Sequence, residues 1–204
     1  MSLYARYILP PLLDLAMRNA EATRFRQRLV PGATGLVLEI GVGSGRNLPF
    51  YASRVDRVVA IDPSPELLRM ARKRLESARV PIDFVEASAE SLPLETESVD
   101  TALMTFTLCS IPDPERALAE IRRVLKRSGE LRFAEHGLSP DAAVRRWQHR
   151  FNPMWRGIAG GCNLDRKMDD LIASSGFHLV ELHAEYAKGP RPMAYVYCGR
   201  AHRR

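Results

Sequence analysis

The feature that most constrains this chain is a glycine-rich segment set directly behind an apolar run. Leu36-Val37-Leu38-Glu39-Ile40 leads straight into Gly41-Val42-Gly43-Ser44-Gly45. A short run with almost no polar residue reads as a strand buried on both faces of a parallel sheet. Glycine at every second position permits positive φ and removes the Cβ atoms that would hold a ligand away from the backbone. At the carboxyl end of such a strand, the loop admits a nucleotide or nucleoside.

The rest of the chain repeats the alternation of short apolar runs and helical patterns that marks a sheet wrapped by helices. Strands are predicted over 57–61, 82–85, 99–104 and 130–134. The runs 177–184 and 193–198, joined through Gly189-Pro190, suit an antiparallel hairpin at the sheet edge. A helix is predicted over 11–29, and a short one from the glycine loop to about Tyr51. Another starts at Ser64-Pro65, where Ser64 caps and Pro65 takes the first helical position. A helix opened by Asp113-Pro114 is expected to end at Ser128-Gly129. Residues 141–150 and 165–175 read as helices, with an irregular stretch over 151–163 between them. The predicted fold is a doubly wound, Rossmann-like α/β sheet of seven mostly parallel strands with an antiparallel C-terminal hairpin.

Asp62 follows Gly41 by 21 positions, at the tip of the second strand. A carboxylate there can accept hydrogen bonds from both hydroxyls of a ribose. A dinucleotide loop needs glycine at the third position of G-x-G-x-x-G. Arg46 stands there instead, and the third glycine comes one residue early. Glu39, beside the loop, suits a cationic ligand better than a diphosphate. S-adenosylmethionine meets these demands, having a ribose, an ammonium and a sulfonium but no phosphate.

The ordered motifs Leu38-Glu39-Ile40-Gly41-Val42-Gly43-Ser44-Gly45, Ala60-Ile61-Asp62, Ala87-Ser88-Ala89-Glu90-Ser91-Leu92-Pro93 and Ser98-Val99-Asp100 resemble those of class I S-adenosylmethionine methyltransferases. The resemblance covers about residues 36–135. It implies that Gly41, Gly43 and Gly45 approach the methionine part of the cofactor and that Asp62 holds the ribose. It places Ala89 and Glu90 near the adenine and Thr105 beside the methionine moiety. Asn47 and Pro63, next to the loop and the acid, are counted with Glu39 in the cofactor site. Ser88 stands where many relatives carry Asp; a serine can still bond the adenine amino group. Asn47-Leu48-Pro49-Phe50-Tyr51, Leu108-Cys109-Ser110, Glu135-His136 and Gly160-Gly161-Cys162-Asn163-Leu164 are similar to the methyltransferase-like protein 7 group and its bacterial relatives. Animal members of that group methylate alkyl thiols and carry a hydrophobic N-terminal membrane anchor. No such anchor is expected here.

One methyltransferase domain over 1–204 is expected, divided into an N-terminal helical cap (1–31), a cofactor-binding core (36–135), a lid or acceptor region (136–176) and a C-terminal hairpin (177–204). Methyl transfer is a direct displacement and needs neither a protein nucleophile nor a metal. The acceptor needs a free lone pair, and the residues leave open a thiol, a hydroxyl or an amine. His136, at the end of the fifth strand, is the candidate base; a structural histidine bonding a loop carbonyl is the competing reading, and Glu135 either faces solvent or holds it. Cys109 and Cys162 read as small buried residues rather than catalytic thiols. Trp147, Met154 and Trp155 form either a lid or core, and Tyr4 and Tyr7 either close over the cofactor or anchor the first helix.

Three cysteines (Cys109, Cys162 and Cys198) without paired spacing argue against a disulfide framework or a zinc motif, and no metal is expected. The formal net charge of +6 raises the question of an anionic partner. Its basic clusters, Arg69-Arg72-Lys73-Arg74 and Arg122-Arg123-Lys126-Arg127, fall within amphipathic helical patterns and read as solvated faces. No nucleic-acid module accompanies them. A small-molecule acceptor is the expected partner, with a phospholipid amine at an anionic membrane surface as the alternative. A non-catalytic cofactor-binding module is the reading from another class. The expected location is cytoplasmic, at most peripheral to a membrane, because the apolar stretch 7–17 is interrupted by Pro10, Pro11 and Asp14.

Overall fold

The apolar runs become seven strands of one sheet: β1 (Gly35–Ile40), β2 (Val55–Asp62), β3 (Ile82–Glu86), β4 (Val99–Thr105), β5 (Leu125–His136), β6 (Phe177–Tyr186) and β7 (Tyr195–Arg203). Their order is β3-β2-β1-β4-β5-β7-β6 in this computed structural model, which describes residues 3–204. The first two residues of the expected N-terminal cap lie outside the described residues. Strands β1 to β5 run parallel, and β7 runs against both β5 and β6. The helices are α1 (Leu9–Ala16), α2 (Ala20–Leu29), α3 (Pro65–Arg72), α4 (Pro114–Val124), α5 (Ala142–Ile158), α6 (Met168–Ser174) and a single turn, α7 (Arg191–Ala194).

Alternate side chains of each strand point to opposite faces, and each face has its own helices. Leu38, Ile40, Met104, Leu131 and Phe133 pack with Leu118 and Ile121 of α4 and Met168 and Ile172 of α6. Val37, Val58, Ala60, Leu103 and Ala134 pack with Phe25 and Leu29 of α2 and Leu68 of α3. Burying one such Leu or Phe side chain is worth roughly 1.5–3 kcal/mol. This two-sided burial is why the central strands are nearly all apolar.

Strand register gathers the interesting residues at one edge. Ile40 lies beside Ile61 and Met104, and Thr105 lies beside Ala134. Gly41, Asp62, Thr105 and His136 therefore all emerge at the carboxyl ends of adjacent strands. The order reverses between β1 and β4, and a crevice opens at such a switch point.

Four elements differ from the sequence expectation. The N-terminal helix is broken in two, because Asn19 is extended and its side chain caps α2 by accepting from Ala22 N at 2.7 Å. Behind Gly45 there is only a 3₁₀ turn at Leu48–Phe50, since Pro49 cannot supply an amide hydrogen. Helix α4 stops at Val124, not at Ser128-Gly129: Leu125 is fully buried as the first residue of β5, opposite Val99. Helix α5 runs on through Pro153 to Ile158 where an irregular stretch was expected. Buried polar anchors hold it: Gln148 donates to Gly137 O and Pro192 O, and Asn152 Oδ1 accepts from Leu164 N. Several basic residues expected on solvated faces are structural ties as well. Arg123 donates to the carbonyls of Leu92 and Leu94, Lys126 pairs with Asp100, and Arg74 reaches Ser44 O.

Candidate active site

The three loop glycines have three different physical reasons. A Cβ on Gly41 would lie 2.3 Å from the Thr107 side chain, and one on Gly45 would lie 3.0 Å from Ala71 Cα in α3. At Gly43 the φ is +56° and a Cβ would meet nothing nearer than Gly41 O at 3.9 Å. That glycine therefore keeps the loop's face bare toward a cavity of about 640 Å³, within the size range of small-molecule sites.

Asp62 is buried at the floor of this cavity. Its Oδ2 accepts from Gly43 N and its Oδ1 from Ser64 N, both at 2.9 Å. Burial raises its pKa, while those two backbone bonds oppose the shift. Each oxygen retains a second lone pair, so the carboxylate can still grip a vicinal diol.

Glu39 does not reach the cavity wall. It is buried behind it, accepting from Asn47 Nδ2 at 2.9 Å and from the Tyr51 hydroxyl at 2.6 Å. Burial pushes its carboxyl up to about 7, although both bonds pull the other way. It fixes the Asn47 side chain in place. With its amide nitrogen held by Glu39 and by Thr105 Oγ1, Asn47 must turn its carbonyl oxygen elsewhere. That Oδ1 is buried without a partner among the described residues. An unpaired buried acceptor costs about 1–3 kcal/mol, and an ammonium group would satisfy it.

A helical cap was expected from the sequence, but the residues that fasten it were not. Asp14 of α1 is buried over the loop, 2.5 Å from the Ser44 hydroxyl that donates to it, and it pairs with Arg18, Arg46 and Arg74 at 2.8–3.1 Å. Burial pushes its carboxyl up, but the bonds from Ser44, Arg18 and Arg46 and the Arg74 charge outweigh it and hold it well below the usual range. Arg26 of α2 also lines the cavity; it donates to Met17 O, and its Nε is buried without a partner among the described residues. Burial and the nearby Arg46 lower its pKa to about 10, which leaves it cationic at neutral pH.

Beyond the loop the wall turns apolar, with Leu9, Leu12, Leu13, Ile111, Trp155 and Ile158. Phe106, at the end of β4, sits at φ 57°, a costly conformation for a bulky residue, with its ring 5.5 Å from that of His136. His136 lies at this end, with Nδ1 3.5 Å from Cys162 Sγ. Burial lowers its pKa, but Cys162 and Glu135 outweigh that and raise it. Cys162 is held below an ordinary thiol first by its bond with Cys109, against burial, and then by the His136 charge. Glu135 is fully buried and does not face solvent; its oxygens accept from Thr107 N at 2.9 Å and Cys109 N at 3.3 Å.

Of the expected site residues, Gly41, Gly43, Asn47, Asp62, Pro63, Ala89, Thr105 and His136 line the one cavity, as does Ser88. Glu39, Gly45 and Glu90 do not; Glu90 instead accepts from the backbone of Asp113. Trp155 lines the cavity, whereas Trp147 and Met154 are 58% and 55% exposed and form neither lid nor core. Tyr4 lines it and donates to Ile158 O at 2.7 Å, while Tyr7 is exposed.

A sheet in this order, with a bare glycine loop facing an acid on the adjoining strand, defines a nucleoside-binding α/β fold. Residues 38–133 match the methyltransferase domain family. Human thiol S-methyltransferase TMT1B is 31% identical over 203 residues, covering 96% of this chain and 81% of that one. The phosphatidylethanolamine N-methyltransferase of Cereibacter sphaeroides is 37% identical over 122 residues, 57% of this chain and 60% of that one. A SAM-dependent methyltransferase structure from Thermotoga maritima superposes with a TM-score of 0.67 at 25% identity, covering 98% of each chain. The chain belongs to the class I S-adenosylmethionine-dependent methyltransferases. It is an enzyme, and its methyl donor is S-adenosylmethionine.

Proposed function

We propose that the chain methylates a small, apolar thiol. The observation that carries this reading is the acceptor end of the cavity, where an apolar wall closes on an imidazole flanked by two sulfurs. The likeness to thiol S-methyltransferase TMT1B over nearly the whole chain supports it.

The cradle fits the donor. Gly43 leaves space where a side chain would stand, and the orphaned Asn47 Oδ1 is an acceptor waiting for a cationic N–H. Asp62 is assigned the ribose hydroxyls, Asn47 the ammonium and Arg26 the carboxylate of the methionine part. Ser88 and Ala89 are assigned the adenine, and Gly41, Pro63 and Thr105 border the rest. When bound, S-adenosylmethionine supplies a methyl group already activated on a sulfonium, so the protein need not form a covalent bond to it. The contribution of the chain is alignment and exclusion of water. Helix α1, pinned through Asp14, covers the loop, and Trp155 and Ile158 keep the acceptor end dry. A thiol with pKa near about 8.5 is already partly ionised at neutral pH, and His136 stands where the remaining proton must be lost.

The test is release of S-adenosylhomocysteine with thiols, phenols, alcohols and amines of matched chain length. The expected result is turnover with alkyl and aryl thiols at least tenfold above the other classes. Equal or higher turnover with amines or phenols overturns the thiol assignment.

One observation favours a second reading, methylation of a phospholipid amine at a membrane surface. Leu3, Tyr7, Ile8, Leu12 and Leu15 are exposed on the N-terminal segment, near the exposed side chains of Arg6 and Arg18. Apolar and basic residues together suit an anionic interface. No helix among the described residues is long and apolar enough to cross a membrane. Sedimentation with anionic vesicles at low salt, followed by N-methylated lipid, is the result this reading requires; vesicles left unbound and unmethylated remove it.

A further inference from the structure

Three side chains that the cofactor cradle does not use converge at the acceptor end. Cys109 comes from the loop behind β4, His136 from the last position of β5, and Cys162 from the turn behind α5. Cys162 Sγ lies 3.5 Å from Cys109 Sγ and 3.5 Å from His136 Nδ1. All three donor atoms lie within 4.8 Å of one another, and all three residues line the cavity. Bonds of about 2.3 Å from zinc to sulfur and about 2.0–2.1 Å to nitrogen, at tetrahedral angles, set sulfur–sulfur edges near 3.8 Å and sulfur–nitrogen edges near 3.5 Å. The two edges at Cys162 lie within about 0.3 Å of that tetrahedron, and the third, between Cys109 and His136, is no longer than 4.8 Å.

The ligand-bearing loops are tied together independently of any ion. Asn163, next to Cys162, donates to Cys109 O through both its backbone N at 2.8 Å and its Nδ2 at 2.9 Å. The same Nδ2 holds Gly161 O at 2.8 Å. Glu135, next to His136, accepts from Cys109 N, and Arg166 donates to Leu108 O at 2.6 Å. Cysteines serving only as core would account for the sulfurs. They would not account for an imidazole nitrogen turned onto them at a cavity wall.

We propose that Cys109, His136 and Cys162 form a zinc site with one coordination position open to the cavity, and that the acceptor's sulfur takes that position. The second half rests on the thiol reading above. Two thiolates and a neutral imidazole balance the charge of Zn²⁺, and three protein ligands with a free position is the pattern of reactive rather than structural zinc. A thiol that coordinates the ion is deprotonated, its proton passing to water. The bound thiolate forms a bond from sulfur to the methyl carbon as the carbon–sulfur bond of the sulfonium breaks. The electron pair of the broken bond stays on the departing sulfur, giving a methyl thioether and S-adenosylhomocysteine. The ion keeps its charge throughout. With the ion bound, His136 acts as a ligand in place of the base role assigned above, and a thiophilic ion would select sulfur over hydroxyl acceptors.

Cobalt(II) titration of the reduced, metal-stripped protein tests this. One equivalent should produce a thiolate-to-cobalt charge-transfer band and the intense visible bands of a tetrahedral site, and zinc should bleach both. Hexanethiol should shift the visible bands and hexanol should not. C109S, H136N and C162S should each lose the spectrum while still binding S-adenosylmethionine in calorimetry, which shows that they fold. No charge-transfer band in protein that binds the cofactor, or bands that persist in a C109S/C162S double variant, overturns the site. Bands that ignore hexanethiol leave the ion in place and overturn its role toward the acceptor. A normal cobalt spectrum with no thiol methylation counts against the thiol reading alone.

Discussion

The Ser44 hydroxyl donates to Asp14 Oδ1 across 2.5 Å, joining the first helix of the chain to the centre of the glycine loop. Arg46 and Arg74 meet the same carboxylate, and Arg74 also donates to Ser44 O. The loop is thus clamped from above by residues distant in sequence. Breaking a buried charge network by removing one partner costs about 3–5 kcal/mol. Asp14→Asn is expected to lower stability by roughly that amount in urea titrations and to expose residues 3–18 to protease. Because the Asp14 carboxyl is held below its usual range, its contribution is present at neutral pH and lost as pH falls below about 4. The stability gap between wild type and variant should close in acid.

The glycines separate folding from binding. Gly45 sits at φ +81°, and a Cβ there would press on Ala71 Cα at 3.0 Å. Gly45→Ala should destabilise the fold by about 2 kcal/mol or more, from backbone strain of about 1–2 kcal/mol plus crowding. Gly43→Ala adds a methyl where only the ligand would stand. It should cost about 1–2 kcal/mol of stability through strain and weaken cofactor binding by a larger factor than Gly45→Ala does. Denaturation and calorimetry on both variants check the contrast.

Glu39 makes the ligand-free fold sensitive to pH. Its carboxyl is raised by burial from 4.5 to about 7, against the bonds from Tyr51 and Asn47. The fold therefore prefers the protonated acid. That contribution is complete below about pH 4.5 and is lost as pH rises through about 7, amounting to about 3 kcal/mol in all. Glu39→Gln mimics the neutral acid, its amide able to donate to the Tyr51 oxygen. Stability curves at pH 5 and pH 8 should show a smaller loss for the variant than for wild type.

Asp62→Ala removes two charge-assisted bonds to the assigned ribose, each worth about 1.5 kcal/mol or more. It also frees Gly43 N and Ser64 N from their acceptor. Affinity for S-adenosylmethionine should fall at least about a hundredfold in calorimetry.

The parallel core was legible because buried strands write themselves as short apolar runs, as in β1, or as apolar residues alternating with charged ones, as with Leu131 and Phe133 in β5. Asp62 was legible because strand length fixes where the acid next to a glycine loop must fall. The break at Asn19 and the passage of α5 through Pro153 were not, since a side-chain cap and the buried anchors at Gln148 and Asn152 decide them. Asp14 and Arg26 carry no local signal at all; they matter only once α1 and α2 fold over a loop that follows them in the chain. Cys109, His136 and Cys162 showed no metal-ligand spacing because three separate elements bring them together.

The most direct measurement is a crystal structure of the complex with S-adenosylhomocysteine. The expected result has the ribose on Asp62, the ammonium within hydrogen-bonding distance of Asn47 Oδ1, and the sulfur facing the cluster of Cys109, His136 and Cys162. A nucleoside bound elsewhere, or bound here with its sulfur turned away from that cluster, would contradict the account.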